Sequence, residues 1–108
     1  MTLFERIVAR EIPADIIYED ELYLVFRDIH PQMTTHLLII PKKPLPSFHL
    51  VQDQSDRLLV QGLMDIAWKI IDTYQLSGCK MVMNSGSEHG QEVMHIHLHL
   101  MSHDELTQ

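Results

Sequence analysis

Seven consecutive residues, His95-Ile96-His97-Leu98-His99-Leu100-Met101, alternate imidazoles with apolar side chains. In an extended chain, side chains two apart share a face and step along it by roughly 6.5 to 7 Å. His95, His97 and His99 therefore line one side while Ile96, Leu98 and Leu100 enter the core on the other. Three polar rings on one face are costly wherever packing is the only purpose, so the row points to function. Two chemistries fit it. Strand histidines two apart, with a third ligand, can hold a zinc ion and leave one position open for water. A neutral imidazole is also a nucleophile near pH 7, because its ordinary pKa of about 6.5 leaves one nitrogen unprotonated. A carbonyl on the other nitrogen fixes the tautomer. Neighbouring rings then donate to phosphoryl oxygens or protonate the leaving group, which is work that metals do elsewhere.

The elements that must carry this row are legible in the pattern. Leu3, Phe4, Ile7 and Val8 recur at helical spacing, which predicts a short amphipathic helix over Thr2 to Arg10, capped by Thr2 and ended before Pro13. Ile16 to Glu19 and Leu22 to Arg27 predict an antiparallel hairpin turning at Asp20-Glu21, and Thr35 to Ile40 a strand that stops at Pro41. Pro41, Pro44 and Pro46 stiffen the loop that follows. From Ser55 to Tyr74 the stripe Leu59, Leu63, Ile66, Ala67, Ile70 and Tyr74, flanked by Met64, Trp68 and Ile71, predicts one long helix ended by Gly78. Gly62 lies inside it, where a close approach of another backbone, such as a partner subunit's, is one explanation. Lys80 to Asn84 and Glu92 to Met101 predict two further strands around the loop Ser85 to Gln91. The expected class is α+β: one domain over residues 1 to 108, with a five-stranded antiparallel sheet, one long helix and a short N-terminal helix.

Bulk composition narrows the partners. At 108 residues, 45% hydrophobic and 21% charged, the chain has the make-up of one globular domain. Acids outnumber Lys and Arg fifteen to eight, a net charge of -7, which sets it against nucleic-acid binding while leaving room for a small anionic ligand on backbone N–H groups and imidazoles. No signal peptide or membrane-length apolar run is seen, so a cytoplasmic location without membrane attachment is expected. Cys79 stands alone and is expected as a small core residue, and His30, His49, His89 and His103 as surface residues.

The histidine row resembles the signature of the histidine-triad superfamily, specifically its Hint branch. The resemblance runs through Glu11-Ile12-Pro13, Phe26-Arg27-Asp28-Ile29-x-Pro31-Gln32, Thr35-His36, Ile39-Ile40-Pro41-Lys42, Asn84-x-Gly86 and Gly90-Gln91-Glu92-Val93. It implies a homodimer, joined across the long helix and the Lys80 to Asn84 strand, that hydrolyses the P–N bond of adenosine or guanosine phosphoramidates without a cofactor or metal. By that resemblance His97 attacks phosphorus to give a nucleotidyl-histidine, His99 binds the phosphate and assists the departing amine, and His95 and His36 complete the cluster. Asp28 is expected to accept the ribose hydroxyls. Ile29, Phe4, Ile7 and Phe26 are expected around the base, and Asn84, Gly90, Gln91, Glu92 and Val93 near the phosphate.

Three departures from the commonest pattern bear on the leaving group. His89 replaces a glycine, Glu92 stands at a position often held by a hydroxyl residue, and Ser102-His103 replaces a Gly-Gly pair with only nine residues after His99. A carboxylate beside a phosphate repels it. Position 92 is therefore expected to offer its backbone N–H, with the side chain turned away or toward the leaving amine. The residues leave other readings open: a dinucleoside polyphosphate hydrolase, a non-catalytic nucleotide-binding scaffold, and a metal-dependent hydrolase. The Asp28-Ile29-x-Pro31-Gln32 segment and the Gln91-Glu92 pair favour the phosphoramidate reading.

Overall fold

The computed structural model describes residues 1–107. It has the expected α+β architecture, a five-stranded antiparallel sheet with one long helix and one short N-terminal helix. Helix α1 spans Leu3–Val8, and its entry is a capping box in which the Thr2 hydroxyl accepts from the Glu5 N–H while the Glu5 carboxylate accepts from the Thr2 N–H. The helix is shorter than expected because Arg10 turns into the left-handed region at φ 62°. Strands β1 (Ile16–Glu19) and β2 (Tyr23–Arg27) form the hairpin. The second strand begins one residue late, since the Asp20 carboxylate takes the Leu22 and Tyr23 N–H groups for the turn.

Strand β3 (Thr35–Pro41) is central, pairing β2 on one side and β5 on the other, so that the sheet order is β1-β2-β3-β5-β4. Helix α2 runs over Gln54–Tyr74 with Asp53 as N-cap. Its end differs from expectation. Gln75, in the left-handed region at φ 53°, closes the helix by donating to the Ile71 carbonyl, and Gly78 lies beyond it. Strand β4 (Lys80–Val82) is an edge, and β5 spans Leu98–Ser102.

The strand expected over Glu92 to Met101 is thus cut to its second half. Pro41 ends β3 opposite this region, the Ile96 N–H goes to the Leu45 carbonyl instead, and His95 N–H turns back to Val93. His95 and His97 therefore precede the ladder and only His99 is in it. Side-chain alternation survives regardless. Ile96, Leu98 and Leu100 join Val25, Leu37 and Ile39 in the core against Leu63, Ile66, Ala67 and Ile70 of α2. The opposite face of the sheet, Leu24, Phe26, Leu38 and Ile40, is covered by Phe4 and Ile7 of α1.

Val60, not Leu59, is the buried start of the α2 stripe. Gly62 makes room for a side chain of its own chain: a Cβ there would lie 2.0 Å from the Tyr23 hydroxyl, which donates to the Leu59 carbonyl at 2.5 Å. Cys79 is exposed, against expectation, because it sits on the link between α2 and the edge strand. His30, His49, His89 and His103 are exposed as expected.

Candidate active site

Strand parity assembles the site. On β3 the even residues His36, Leu38 and Ile40 face α1, and Leu38 is the register partner of His99 on β5. His36 and His99 consequently meet, with Nε2 of His36 2.9 Å from Nδ1 of His99. The rings of His97 and His99 have centroids 5.0 Å apart at 68°. Phe4 lies edge-on to both His95 and His97. Four imidazoles thus converge from two chain segments, β3 and the stretch His95 to His99.

Hydrogen bonds determine the tautomers. The Gln32 N–H donates to Nδ1 of His36 at 3.1 Å, so that nitrogen is unprotonated and the proton of a neutral ring is on Nε2. That N–H faces Nδ1 of His99, which leaves the His99 proton on Nε2. Nδ1–H of His97 donates to the His95 carbonyl at 2.7 Å, leaving a lone pair on Nε2. His95 is fully buried; its Nε2–H donates to the Pro41 carbonyl at 2.7 Å, and its Nδ1 has no partner among the described residues.

Burial decides the charge state. It is the leading cause that holds His36, His95 and His97 below the ordinary imidazole pKa, outweighing the Asp28 carboxylate beside His36 and the accepting carbonyls beside the other two. His99 is pushed down to about 4, first by burial and then by His97 and His36. All four rings are neutral at pH 7, so one free lone pair on His97 stands beside one N–H donor on His99.

A cleft of about 490 Å³ opens on this row. Phe4, Ile7, Phe26, Asp28, Ile29, Asn84, Gly90, Glu92, Val93, His97 and His99, all expected site residues, line it. His36 and His95 stand behind that wall, and Gln91 is not part of it. Phe4, Ile7 and Phe26 serve two purposes, since they are buried in the second core and floor one end of the cleft. Asp28 likewise combines both readings of a turn carboxylate: Oδ1 accepts the His30 N–H at 2.8 Å, Oδ2 is 3.5 Å from Nε2 of His36, and the side chain still reaches the cleft. Glu92 is exposed on the wall, near enough for its charge to favour protonation of His97. Gly90, at φ 92°, passes so close to Asn84 that a Cβ would come within 3.0 Å of its amide nitrogen.

Gln91, expected near the phosphate, does not line the cleft. It is 3% exposed, and its amide is spent inside the protein. Oε1 accepts from Ser47 Oγ at 2.7 Å and Gly86 N–H at 2.8 Å, while Nε2 donates to the carbonyls of Pro46 and Val93 at 2.7 and 3.0 Å. Its own N–H goes to Gly86. The residue ties the proline-rich loop to the loop bearing Asn84, Gly90 and Glu92. Leu3, Ile12, Pro13, Ala14, Arg27, His30, Gln32 and Leu38 also line the cleft and were not expected there from sequence. Their residue types carry no chemistry at a recognisable spacing, so nothing short of the fold places them there.

Asp28, His36 and His99 offer ligand atoms within 4.8 Å of one another and are the one group among the described residues that could hold a metal ion. The tautomers oppose it. To ligate through Nε2, His36 would have to move its proton to Nδ1 and lose the bond from Gln32, and the His36 to His99 hydrogen bond would break as well.

Residues 9–106 match the HIT domain model. The chain belongs to the HIT domain family. It is 41% identical over 102 residues to the purine nucleoside phosphoramidase of Escherichia coli K12, a match covering 93% of this chain and 85% of that one. It is 42% identical over 100 residues to an uncharacterised HIT-like protein of Synechocystis, covering 93% and 88%. A HIT family hydrolase from Legionella pneumophila superposes with a TM-score of 0.86 at 44% identity, covering 99% of this chain and 96% of that one. The chain is therefore hydrolase-like in fold and family. Among the described residues, no helix is long and apolar enough to cross a membrane.

Proposed function

We propose that this HIT protein is a hydrolase of purine nucleoside 5'-phosphoramidates, adenosine or guanosine, acting through a covalent nucleotidyl intermediate on His97. The observation that carries the reading is the tautomer pair at the cleft wall: His97, its Nδ1–H bound to the His95 carbonyl, keeps a lone pair on Nε2 beside the Nε2–H of His99. Nε2 of His97 forms a bond to phosphorus while the P–N bond breaks and its electron pair leaves with the amine. The phosphoryl charge offsets the burial that keeps the rings neutral in the free protein, so a solvent proton taken up by the His36 and His99 pair reaches the departing nitrogen from His99. Water then attacks phosphorus, the pair of the Nε2–P bond returns to His97, and the water's proton goes back to the same pair of rings. His95 serves through its carbonyl. Asp28 accepts ribose hydroxyls with its remaining lone pairs, Phe4, Ile7, Phe26 and Ile29 hold the base, and Asn84, Gly90, Glu92 and Val93 border the phosphate; Gln91 contributes by holding that loop.

The 41% identity to a relative named purine nucleoside phosphoramidase supports the substrate class. Protein quenched during turnover of an adenosine phosphoramidate should carry the mass of one nucleoside monophosphate, and His97→Ala should lose that adduct while retaining nucleotide affinity. An adduct that persists in the variant overturns the reading, and activity abolished by a chelator returns the metal-dependent alternative. A higher turnover of dinucleoside polyphosphates than of phosphoramidates would favour that substrate class, and binding without turnover of either would leave a scaffold.

The same proposal takes the chain as one cytoplasmic HIT domain acting as a homodimer. Met81 on the edge strand β4 is 45% exposed and Trp68 on α2 is 61% exposed, and an exposed strand edge and exposed apolar side chains are surface that a second copy can cover. Light scattering at micromolar concentration should give twice the chain mass; the monomer mass would refute the dimer.

A further inference from the structure

The hydrogen bond from Nδ1 of His97 to the His95 carbonyl fixes which nitrogen is protonated, but a single bond leaves the ring plane free to pivot, since the terminal torsion of a histidine has a broad minimum. Something else must hold the plane. The His97 ring meets two others at steep angles: His99 at 5.0 Å and 68°, and Phe4 at 5.0 Å and 89°. Phe4 is itself buried and wedged. Its ring meets Phe26 at 5.4 Å and His95 at 6.0 Å, both edge to face, and its helix is fixed by the Thr2 and Glu5 capping box. His99 is committed to His36 and to the phosphate, so the firm wall against His97 is the aromatic one.

We propose that Phe4 is a positioning residue for the nucleophile, holding the His97 imidazole in the plane that aims Nε2 into the cleft. The inference rests on the nucleophilic reading of His97 and adds to it a residue whose other visible role is to floor the base end of the cleft. If Phe4 were only that floor, its loss would weaken nucleotide binding and leave the rate at saturation alone. A positioning role puts the loss in the rate.

Phe4→Leu and Phe4→Met keep an apolar side chain and remove the ring; Phe4→Tyr keeps the ring; Ile7→Val trims another residue of the same helix that lines the same cleft. Each is measured by single-turnover adduct formation at saturating adenosine phosphoramidate, by adenosine monophosphate affinity and by the pH dependence of the adduct rate. The expected result is a rate about tenfold lower in Phe4→Leu and Phe4→Met with affinity within threefold, recovery to within threefold of wild type in Phe4→Tyr, and an affinity loss in Ile7→Val. The acid limb of the rate profile should also move up toward the ordinary imidazole value in the Leu and Met variants, as water reaches a ring that burial now protects; His95, His99, Asp28 and Glu92, the titratable groups around it, are unchanged. Weakened affinity with an intact saturating rate in both ring-less variants would overturn the proposal. Absence of any nucleotidyl adduct in the wild-type protein would instead overturn the nucleophilic reading of His97, whatever the variants do.

Discussion

As pH falls from 6.5 to about 4 the stability of this protein should fall because of its own clustered histidines. An unfolded imidazole titrates near 6.5, whereas His99 in the fold is held down at about 4 by burial and by the rings of His97 and His36. In that window the unfolded chain binds more protons than the folded one, so the free energy of unfolding rises with pH. The stabilisation is fully present above pH 6.5, is lost progressively on acidification and levels off below about 4. At about 1.4 kcal/mol per pH unit, the gap sets a ceiling of roughly 3 kcal/mol for this one residue, a large share of the roughly 5 to 15 kcal/mol of a small domain. His36, His95 and His97 shift in the same direction and deepen the loss. Urea unfolding of wild type and His99→Gln at fixed ionic strength, from pH 7.5 to 4.5, isolates the effect, because the carboxylates common to both proteins cancel in the difference. The wild-type curve should drop more steeply, closing on that of the variant by as much as about 3 kcal/mol. Parallel curves across pH 6.5 to 4.5 would refute the view that burial keeps His99 neutral.

Asp28→Ala should weaken ribonucleotide binding by roughly 1 to 3 kcal/mol, with a smaller effect on deoxyribonucleotides; an unchanged ribo-to-deoxyribo affinity ratio would remove Asp28 from the ribose. Gln91→Ala strands the partners of a buried amide that makes four hydrogen bonds, so thermal and urea unfolding should show a loss of roughly 2 to 4 kcal/mol, and a loss below 0.5 kcal/mol would show the loop held by other contacts. Gly62→Ala drives a methyl into the Tyr23 hydroxyl 2.0 Å away and should cost about 1 to 3 kcal/mol. In combination with Tyr23→Phe the cost should fall well short of the sum of the two single changes, and strict additivity would place the strain elsewhere.

Much of this protein is set by local pattern. β-Branched, aromatic and apolar runs drew β1, β2 and β3, the 3.6-residue stripe drew α2, and Thr2 ahead of an apolar helical pattern drew the capped start of α1, because each of these rests on neighbours within a few residues. The histidine row announced itself for the same reason. What local pattern could not supply was the partner of each group across the chain. The β5 ladder begins only at Leu98 because Pro41 ends the strand opposite, and Gly62 is required by a tyrosine on another element. The family resemblance puts Gln91 near the phosphate, yet four distant or folded-back partners consume its amide. The histidine cluster follows the same division. Composition and spacing identify three imidazoles, but only the tertiary structure decides which nitrogen keeps its lone pair, because that is determined by a backbone carbonyl beside His97 and by a chain of donors that runs from Gln32 through His36 to His99.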